Sequence, residues 1–425
     1  MKALCIAATA SNVGKTLLTT ALLHHFRGDV RPFKIGPDFI DPQFHRTLSG
    51  TAGINLDGYI MTSRQLRWLF TQYATRSIAL VEGVMGYYDG IEYQSSTYDI
   101  TRTLGIPTVL VMDASGSYTT LSALFEGIRR YRNDHTLKAV VFNRVASPSH
   151  YARLVDLFAK DHPDIVVAGY ITRNLPDVEH THLGLRLSQQ SHVASLAKRV
   201  LEHIDTTRLE RVASSYTPIP SYTYPFASIK PLPYRLGIIH DENFSFLYHD
   251  NIAFLKEMFK EVRFFRATNN EALDETIDVC YIPGGYVETD EAYARIRSAS
   301  DVCESLHRHA QTKPIYAECA GMLYLSQRID DKPMCGLLDA EFSLASRFVR
   351  LGYYYNSSGV RGHAFHYTRP TPETLRKGID PLCKPRSDTA QPGSWQNGNV
   401  YGTYLHTMFR AWPQQFLDRI SIAKK

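Results

Sequence analysis

A candidate phosphate-binding loop lies near the start of the chain. Residues 8–16 read ATASNVGKT, between the apolar run KALCIA and a helix-like segment. At such a junction, backbone N–H groups and the helix N-terminus bind phosphate, while Lys15 reaches the terminal phosphates and the Thr16 hydroxyl binds Mg²⁺. The alternative is a chance GKT at a helix start. The predicted ATP-binding residues of this loop are Ser11, Asn12, Val13, Gly14, Lys15 and Thr16.

The loop departs from the common pattern at its beginning. In the standard loop the opening glycine lies five residues before Gly14, where this chain has Thr9. A variant loop opens one residue earlier, as in dethiobiotin synthetase, and Ala8 stands where its first glycine would be. The residues therefore predict a variant phosphate loop with a small residue at its entry.

Two acidic clusters could serve phosphoryl transfer, which needs a metal ion and groups that hold it. The first is KIGPDFIDPQ at 34–43, with Asp38 and Asp41, and the second is LVEGVMGYYDG at 80–90. In the second cluster Glu82 ends an apolar strand and Asp89 lies in a glycine-rich loop. A lone Asp beside Gly or Pro is usually a turn residue. Here the carboxylates follow apolar strands, whose carboxyl ends converge on one crevice in a parallel sheet.

A candidate thiol nucleophile lies in the second half of the chain. The segment PIYAECAGMLYLS at 314–326 predicts a strand, then Cys319, then small residues that open a helix. A nucleophile on such a tight turn is exposed to substrate, and the helix N-terminus is expected to lower the thiol pKa. The alternative is a buried structural cysteine, the usual role of a free Cys. That role is predicted for the other five cysteines, Cys5, Cys280, Cys303, Cys335 and Cys383.

A cysteine nucleophile needs a base, which can lie far away in sequence. Among 17 histidines the best candidate is His406, at the end of the apolar run VYGTYL. Gly284 and Gly285 follow a predicted strand in YIPGGYVE, and their backbone N–H groups could form an oxyanion hole together with that of Ala320. Each of these signals is weak alone.

The elements that must position these residues alternate along the chain. Short apolar segments such as SIALVEG and LKAVVFNRV are separated by amphipathic segments, which predicts an α/β fold with a parallel sheet covered on both faces. A second alternating series begins near residue 235, and 337–400 is expected to be irregular or partly antiparallel. The predicted organisation is an ATP-binding domain at 1–205, a Pro/Ser/Tyr-rich linker at 206–234 and a second α/β domain at 235–425.

Composition excludes several classes of protein. The chain has 425 residues, of which 44% are hydrophobic and 21% charged. Its net charge of +5 is spread along the chain, and no basic block indicates nucleic-acid binding. No apolar run reaches the length of a membrane span. The six cysteines lack CxxC spacing, which favours reduced thiols and a cytoplasmic location.

The segments KIGPDFIDP and VEGVMGYYDG resemble two hallmark motifs of the cobyrinate a,c-diamide synthase family. The related nickel-sirohydrochlorin a,c-diamide synthases share these motifs. The resemblance implies an N-terminal P-loop domain like that of dethiobiotin synthetase. It also implies roles for individual residues: Thr16, Asp38 and Glu82 as Mg²⁺ ligands, Asp41 and Asp89 in carboxylate activation, and Asn143 in adenine recognition.

The order of PGGY, the cysteine elbow and the late histidine resembles a class I glutamine amidotransferase domain of the cobyric/cobyrinic branch. This resemblance implies that Cys319 attacks glutamine, giving a glutamyl thioester and ammonia. Many class I glutaminases have a Glu two residues after the histidine, where this chain has Met408. We therefore predict a Cys–His dyad whose orienting residue is not visible in the sequence.

Three further segments extend the likeness along most of the chain: FSFLYHDN at 244–251, HLGL at 182–185 and GYYYNSSGVRGHAFHYT at 352–368. Two residues depart from the family pattern, with Thr181 in place of an arginine and Ala364 in place of a glutamate. These departures are expected to alter either the substrate contacts or the signalling between the domains.

The resemblance implies an ATP-, Mg²⁺- and glutamine-dependent ligase that amidates the a and c acetate carboxylates of cobyrinate, a corrinoid polycarboxylate. The expected partner is this tetrapyrrole, with no nucleic acid and no membrane, and a homodimer is compatible with it. The nickel-sirohydrochlorin enzyme is the first alternative. Cobyric acid synthase shares both domains but lacks a GPDFIDP-type segment.

Two alternatives come from other classes of protein. A partitioning-type ATPase would have a lysine where this chain has Ala10 and would not need a cysteine elbow. A regulatory protein with an inactive glutaminase domain would not hydrolyse glutamine.

Overall fold

The computed structural model describes residues 1–173, 175, 180–181, 184–185, 190–220, 223–387 and 389–420. The chain forms two compact units, Met1–Pro225 and Phe226–Lys425, called here the first and second units. Their boundary falls within the predicted linker segment. Among the described residues, no helix is both long enough and apolar enough to cross a membrane.

The first unit is built on a parallel sheet, as the alternating apolar segments predict. Its strands are β1 Lys2–Ala8, β2 Val30–Ile35, β3 Ile54–Leu56, β4 Ile78–Glu82, β5 Thr108–Asp113, β6 Leu137–Val145 and β7 Val166–Thr172. They lie in the order β3-β2-β4-β1-β5-β6-β7, and every pair is parallel. A short antiparallel pair follows, β8 His180–Thr181 and β9 Gly184–Leu185.

Helices cover both faces of this sheet. They are α1 Lys15–His25, α2 Ile40–Ser49, α3 Ser63–Tyr73, α4 Thr97–Leu104, α5 Thr119–Tyr131, α6 Pro148–Asp161, α7 Gln190–Leu201 and α8 Thr206–Ser214. Alternate residues of a strand point to opposite faces. In β5, Val109 and Val111 therefore join the core on one face, while Leu110 and Met112 join the core on the other.

The second unit has a mixed sheet. Its strands are β10 Leu232–Ile239, β11 Phe259–Phe265, β12 Val279–Ile282, β13 Ile315–Glu318, β14 Arg328–Ile329, β15 Lys332–Pro333, β16 Glu341–Leu344, β17 Arg350–Tyr355, β18 Arg361–His366, β19 Thr368–Pro370, β20 Ile379–Cys383, β21 Ala390–Asn397 and β22 Val400–Thr403. Nine of them follow the order β11-β10-β12-β13-β22-β21-β20-β17-β18. The strand pairs from β11 to β22 in this order are parallel, and the remaining pairs are antiparallel. This confirms the prediction that 337–400 is partly antiparallel.

The helices of the second unit are α9 His249–Met258, α10 Asp290–Ile296, α11 Ser300–Ala310, α12 Ala320–Leu325, α13 Pro372–Lys377 and α14 Gln414–Leu417. Four further strands form a separate small sheet in the order β15-β14-β16-β19. The parallel strands β12, β13 and β22 lie next to one another in the middle of the nine-stranded sheet. The predicted nucleophile, Cys319, follows β13 directly.

The structure differs from the predicted linker at both ends of 206–234. Helix α8 occupies its start: the Asp205 side chain accepts the N–H of Arg208 at 2.9 Å, and Leu209 and Val212 are buried in the core of the first unit. Strand β10 occupies its end. Leu209 and Val212 have the i, i+3 spacing of a helix, but this pattern is short. The Ser- and Pro-rich composition of the whole segment therefore led to the prediction of a linker.

The prediction of six free thiols is wrong for Cys303 and Cys335, which form a disulfide with their Cα atoms 5.4 Å apart. Packing brings them together, since the Cys335 N–H donates to the Tyr324 carbonyl at 2.9 Å and the Tyr324 hydroxyl lies 3.4 Å from Cys303 Sγ. The two cysteines are 32 residues apart in the sequence, and this spacing does not by itself predict a disulfide. Cys5, Cys280, Cys319 and Cys383 are free.

Candidate active sites

The phosphate loop of the first unit joins β1 to α1. Gly14 has φ of 104°, a left-handed conformation that favours glycine. A Cβ on Gly14 would also lie 2.2 Å from Asn143 Nδ2. Lys15 begins α1, is 8% exposed and donates from Nζ to the Met85 carbonyl at 3.1 Å. The loop backbone is thus held where a helix N-terminus can bind phosphate.

Ala8 explains how the loop begins without a glycine. It is the last residue of β1 and is fully buried in the core on one face of the sheet. Its carbonyl accepts the N–H of Tyr87 at 2.9 Å, and the next residue, Thr9, donates to the Val111 carbonyl at 3.3 Å. The chain is still in extended, hydrogen-bonded form at this point, so no glycine is needed for a turn.

Asn143 lies at the end of β6 and contacts the phosphate loop. Its Nδ2 donates to the Val13 carbonyl at 2.7 Å, and its Oδ1 accepts the N–H of Arg144 at 2.8 Å. The structure thus gives Asn143 a role in holding the loop. Its role in adenine recognition remains a prediction.

A buried lysine that was not among the predicted site residues, Lys34, lies between carboxylates of both acidic clusters. Lys34 is 4% exposed, and its Nζ lies 2.5 Å from Asp41 Oδ2, 3.3 Å from Glu82 Oε1 and 3.8 Å from Asp38 Oδ2. Lys34 and Glu82 are register partners on β2 and β4. In the sequence, Lys34 is the first residue of the KIGPDFIDP motif and lies one residue before the end of an apolar strand. A charged residue at this position is the feature that could have indicated its role.

Electrostatics separates the carboxylates of this cluster. Burial raises the pKa of Asp41 to about 6, although the charge of Lys34 opposes the rise. Burial would also raise the pKa of Glu82, but Lys34 and His45 hold it well below its usual value. For Lys34, burial favours the neutral form, yet the charges of the three carboxylates raise its pKa above its usual value. Glu82 is therefore a permanent anion, whereas Asp41 is suited to exchange a proton near neutral pH.

Glu82 links the acidic cluster to the phosphate loop. Its Oε1 accepts the hydroxyl of Thr16 at 2.7 Å, and its Oε2 lies 2.7 Å from His45 Nε2. Asp38 Oδ1 accepts the N–H groups of Ile40 and Asp41 at the start of α2.

The donor set around Glu82 fits Mg²⁺. This ion is usually held by one or two carboxylates, with the remaining ligands coming from phosphates and water. Thr16, Glu82 and Asp38 supply one hydroxyl and two carboxylates. No group of three or more His, Cys, Asp or Glu side chains that could hold a metal by itself occurs in the described part of the chain.

Asp89 is placed by the loop that follows β4. Its Oδ2 accepts the N–H of Gly86 at 2.8 Å, and the side chain is exposed. The same loop contains Met85, whose carbonyl accepts the Lys15 ammonium. The structure therefore places Asp89 in the loop that Lys15 contacts, while Asp38, Asp41 and Glu82 surround Lys34.

The second unit presents Cys319 on a strained turn. The residue lies between β13 and α12 with φ of 45° and ψ of −107°, and its N–H donates to the Thr403 carbonyl at 2.7 Å. A Cβ on Gly321 would lie 2.2 Å from the Ile282 carbonyl, so the turn requires glycine there. This confirms the elbow predicted from the strand, cysteine and small residues.

The expected lowering of the Cys319 pKa is wrong. Burial raises the pKa of the thiol well above its usual value, with further increases from the charges of Glu288 and Glu318, while the N–H of Ala320 opposes them. The thiol is 4% exposed, so desolvation outweighs the helix N-terminus. Cys319 is therefore protonated at neutral pH and needs a base to accept its proton as it reacts.

His406 is oriented by Glu318. The ring is 1% exposed, and its Nδ1 lies 3.0 Å from Glu318 Oε2. The hydroxyls of Tyr281 and Tyr316 donate to the same carboxylate at 3.1 and 3.2 Å. With Nδ1 bound to Glu318, Nε2 is the ring nitrogen to which the predicted role of base falls, as in other nucleophile–base–carboxylate arrangements.

Glu318 was not among the predicted residues, because the orienting carboxylate was expected two residues after the histidine. Met408 at that position is buried and 4% exposed. The orienting carboxylate comes instead from the residue directly before the nucleophile, at the end of β13. An acidic residue at the end of an apolar strand is the signal that could have identified it.

The two glycines of the PGGY loop pack closely against their neighbours. A Cβ on Gly284 would lie 2.5 Å from His406 Cε1, and one on Gly285 would lie 1.9 Å from the Asn243 carbonyl. The loop also contacts α12, since Pro283 accepts the N–H of Gly321 at 3.1 Å. Gly284 therefore lies beside His406, and the function of Gly284 and Gly285 in oxyanion binding remains a prediction.

Other segments from the resemblance support this site. In 244–251, the Tyr248 hydroxyl lies 3.1 Å from His363 Nδ1. The Asn251 side chain donates to the Thr407 carbonyl and accepts the N–H of Phe409. The His363 ring stacks on that of His406 with centroids 5.2 Å apart. Ala364 is fully buried. Of the segment 182–185, residues 182–183 lie outside the described residues, as does the side chain of Thr181.

Replacing Glu318 with glutamine is expected to lower the glutaminase kcat about 100-fold or more, because His406 loses the charge that orients it and stabilises its protonated form. Glutamine keeps the shape of the side chain, but its single carbonyl oxygen replaces only one of the two oxygens to which the tyrosine hydroxyls donate. The measurement is steady-state glutamine hydrolysis, with the exposed Glu373→Gln variant as a control. Unchanged kcat would show that Glu318 does not orient the base.

Comparison with known proteins finds relatives that match nearly the whole chain. The family of CobB/CobQ-like glutamine amidotransferase domains matches residues 235–413. Over its length the chain is 31% identical to cobyrinate a,c-diamide synthase of Thermoplasma acidophilum, covering 97% of each chain. It is 32% identical to hydrogenobyrinate a,c-diamide synthase of Mesorhizobium japonicum, covering 96% of this chain and 99% of that one.

A parallel α/β unit followed by a CobB/CobQ-like glutamine amidotransferase domain is typical of the glutamine-dependent amidotransferase ligases, and the relatives place the chain in that class. Within that class, the chain belongs to the cobyrinate a,c-diamide synthase family.

Proposed function

We propose that the protein uses ATP and glutamine to convert the a and c acetate carboxylates of cobyrinate into amides. The observation that carries this proposal is the combination, in one chain, of a candidate phosphate loop with acidic residues around it, a buried cysteine on a strained turn and a buried His406–Glu318 pair. A carboxylate is a poor electrophile, so it must be activated before ammonia can replace its oxygen. Each unit supplies one half of that chemistry.

In the first unit, a substrate carboxylate oxygen attacks the γ-phosphorus of ATP. The bond to the bridging oxygen breaks, and ADP leaves behind an acyl phosphate. Lys15 and the loop N–H groups orient the phosphates and stabilise their charge. Thr16, Glu82 and Asp38 would hold Mg²⁺, which neutralises phosphate charge when bound. Ammonia then adds to the acyl carbon, inorganic phosphate leaves, and Asp41 accepts the surplus proton.

In the second unit, Cys319 Sγ attacks the side-chain carboxamide carbon of glutamine. His406 Nε2 accepts the thiol proton and gives it to the departing nitrogen, so ammonia leaves and a glutamyl thioester remains. Water then hydrolyses the thioester, which releases glutamate and restores the thiol. Gly284, Gly285 and Ala320 bind the negatively charged oxygen of the intermediate through their N–H groups.

The asparagine variants of Asp41 and Asp89 are expected to bind ATP normally but to form amide at least about 100-fold more slowly, because these residues act on the acyl group and its proton. Calorimetry measures ATP binding, and mass spectrometry measures the amide. The exposed Asp156→Asn variant is the control. Loss of ATP binding would assign Asp41 or Asp89 to the metal and nucleotide site instead.

Incubation of the purified protein with cobyrinate, ATP, Mg²⁺ and glutamine labelled with ¹⁵N in its amide tests the proposal. The expected product contains two ¹⁵N atoms, in the a and c amides. Hydrogenobyrinate and nickel-sirohydrochlorin, supplied in parallel, determine which macrocycle is preferred. Hydrolysis of ATP without incorporation of nitrogen into any of the three would contradict the proposal.

We further propose a cytoplasmic location, where ATP and glutamine are both available, and a homodimeric state. The Cys303–Cys335 disulfide is unusual for that compartment. Sedimentation of the purified protein and thiol labelling of intact cells test these two proposals.

A further inference from the structure

The loop that contains Gly284 and Gly285 ends in a buried carboxylate, Glu288. This residue is 9% exposed, and its Oε2 accepts the N–H of Val287 at 2.9 Å. No lysine, arginine or histidine among the residues that the structure describes forms an ion pair with it. A buried carboxylate without a cation is costly, since its desolvation is not offset.

Two cations in this part of the second unit are committed to other groups. Lys332 acts on Glu288 only from a distance and forms an ion pair with Asp290 at 3.0 Å. The buried Arg350 donates to the carbonyls of Gln391 and Pro392 at 3.2 and 2.9 Å. Burial, opposed only in part by two backbone N–H groups and Lys332, raises the pKa of Glu288. The protein itself therefore leaves this carboxylate without a positive partner.

The loop that leads to Glu288 lies against the residues of the proposed glutaminase site. The loop lies against α12 through the Pro283 carbonyl and against the His406 ring through Gly284. After burial, the charge of Glu288 is the strongest influence that raises the pKa of Cys319, ahead of the adjacent Glu318. The missing positive partner is thus expected where a substrate of Cys319 binds.

We propose that Glu288 binds the α-ammonium group of L-glutamine and so selects glutamine over amides that lack this group. The inference rests on the proposed glutaminase function and adds a specificity-determining residue to it. Glutamine brings one cation into the site, and a desolvated ammonium requires acceptors such as a carboxylate. The pairing would satisfy both the substrate and the buried side chain.

The test compares L-glutamine with glutaramate, which has the same carboxamide and carboxylate but no amine. In the Glu288→Gln variant, kcat/KM for L-glutamine is expected to fall about 100-fold, mainly through KM, because one member of a buried charge pair is removed. Hydrolysis of glutaramate should change little. The matched control is Glu304→Gln, which removes an exposed carboxylate on α11. Equal losses for both amides, or no loss for L-glutamine, would overturn the proposal.

Alkylation of Cys319 gives a second readout that does not require turnover. The variant should react more slowly with 6-diazo-5-oxo-L-norleucine, which carries the α-amine, but at the wild-type rate with iodoacetamide, as followed by intact mass. Equal slowing with both reagents would assign Glu288 a structural role and overturn the proposal. If the wild-type protein hydrolyses neither amide, the proposed function fails, while the ratio of alkylation rates still tests Glu288.

Discussion

The Cys319→Ser variant is expected to lose glutamine-dependent amidation by on the order of 10³-fold or more, because the serine hydroxyl is a far weaker nucleophile in a site built for sulfur. Amidation driven by a high concentration of ammonium chloride should remain. Ammonia enters the reaction after the step that Cys319 performs, so supplying it directly bypasses the lost residue. Parallel assays with the two nitrogen donors measure this difference.

Cys383→Ser is the matched control, since this free cysteine lies on β20, is half-buried and belongs to neither site. It should retain activity with both donors. If Cys319→Ser also lost the ammonia-dependent reaction while remaining folded, the division of labour between the two units would be wrong.

Replacing Lys15 with methionine is expected to give the opposite selectivity. Amidation should fall on the order of 10³-fold with either nitrogen donor, because the phosphates lose the charge that stabilises the transition state. Glutamine hydrolysis should continue. The variant is expected to fold, because burial and the nearby charge of Lys34 already lower the pKa of Lys15 and disfavour its ammonium form. Methionine removes that charge and keeps the length of the side chain.

Nucleotide binding and both amidation assays measure the effect, with the exposed Lys160→Met variant as the control. Amidation at the wild-type rate in Lys15→Met would exclude the loop at 8–16 from catalysis. A matching loss of glutamine hydrolysis would show instead that the substitution disturbs more than the nucleotide site.

Much of the fold follows from local patterns in the sequence. Apolar strands separated by amphipathic helices require a parallel sheet covered on both faces, and β1 to β7 form one. Because parallel strands end at one edge, the residues after β1, β2 and β4 were expected to meet. The structure agrees with that reasoning, since Thr16 and Lys34 both contact Glu82, and Lys34 also contacts Asp41.

The parts that the sequence did not reveal depend on three-dimensional packing. Lys34 and Glu318 look like ordinary charged residues at strand ends. Only the packing of the folded chain places Lys34 against Asp41 and Glu318 against His406. The pKa of Cys319 depends on how deeply the elbow is buried, which a helix start does not report. Likewise, the Cys303–Cys335 pair is brought together by the packing of α11 near Tyr324.

Transfer of oxygen from the substrate to phosphate tests the central claim most directly. Cobyrinate whose carboxylates are labelled with ¹⁸O is incubated with the protein, ATP, Mg²⁺ and glutamine, and the released phosphate is analysed by mass. An acyl phosphate requires one ¹⁸O atom to appear in inorganic phosphate for every amide formed. Amide formation with unlabelled phosphate, or with ¹⁸O in AMP, would contradict the account.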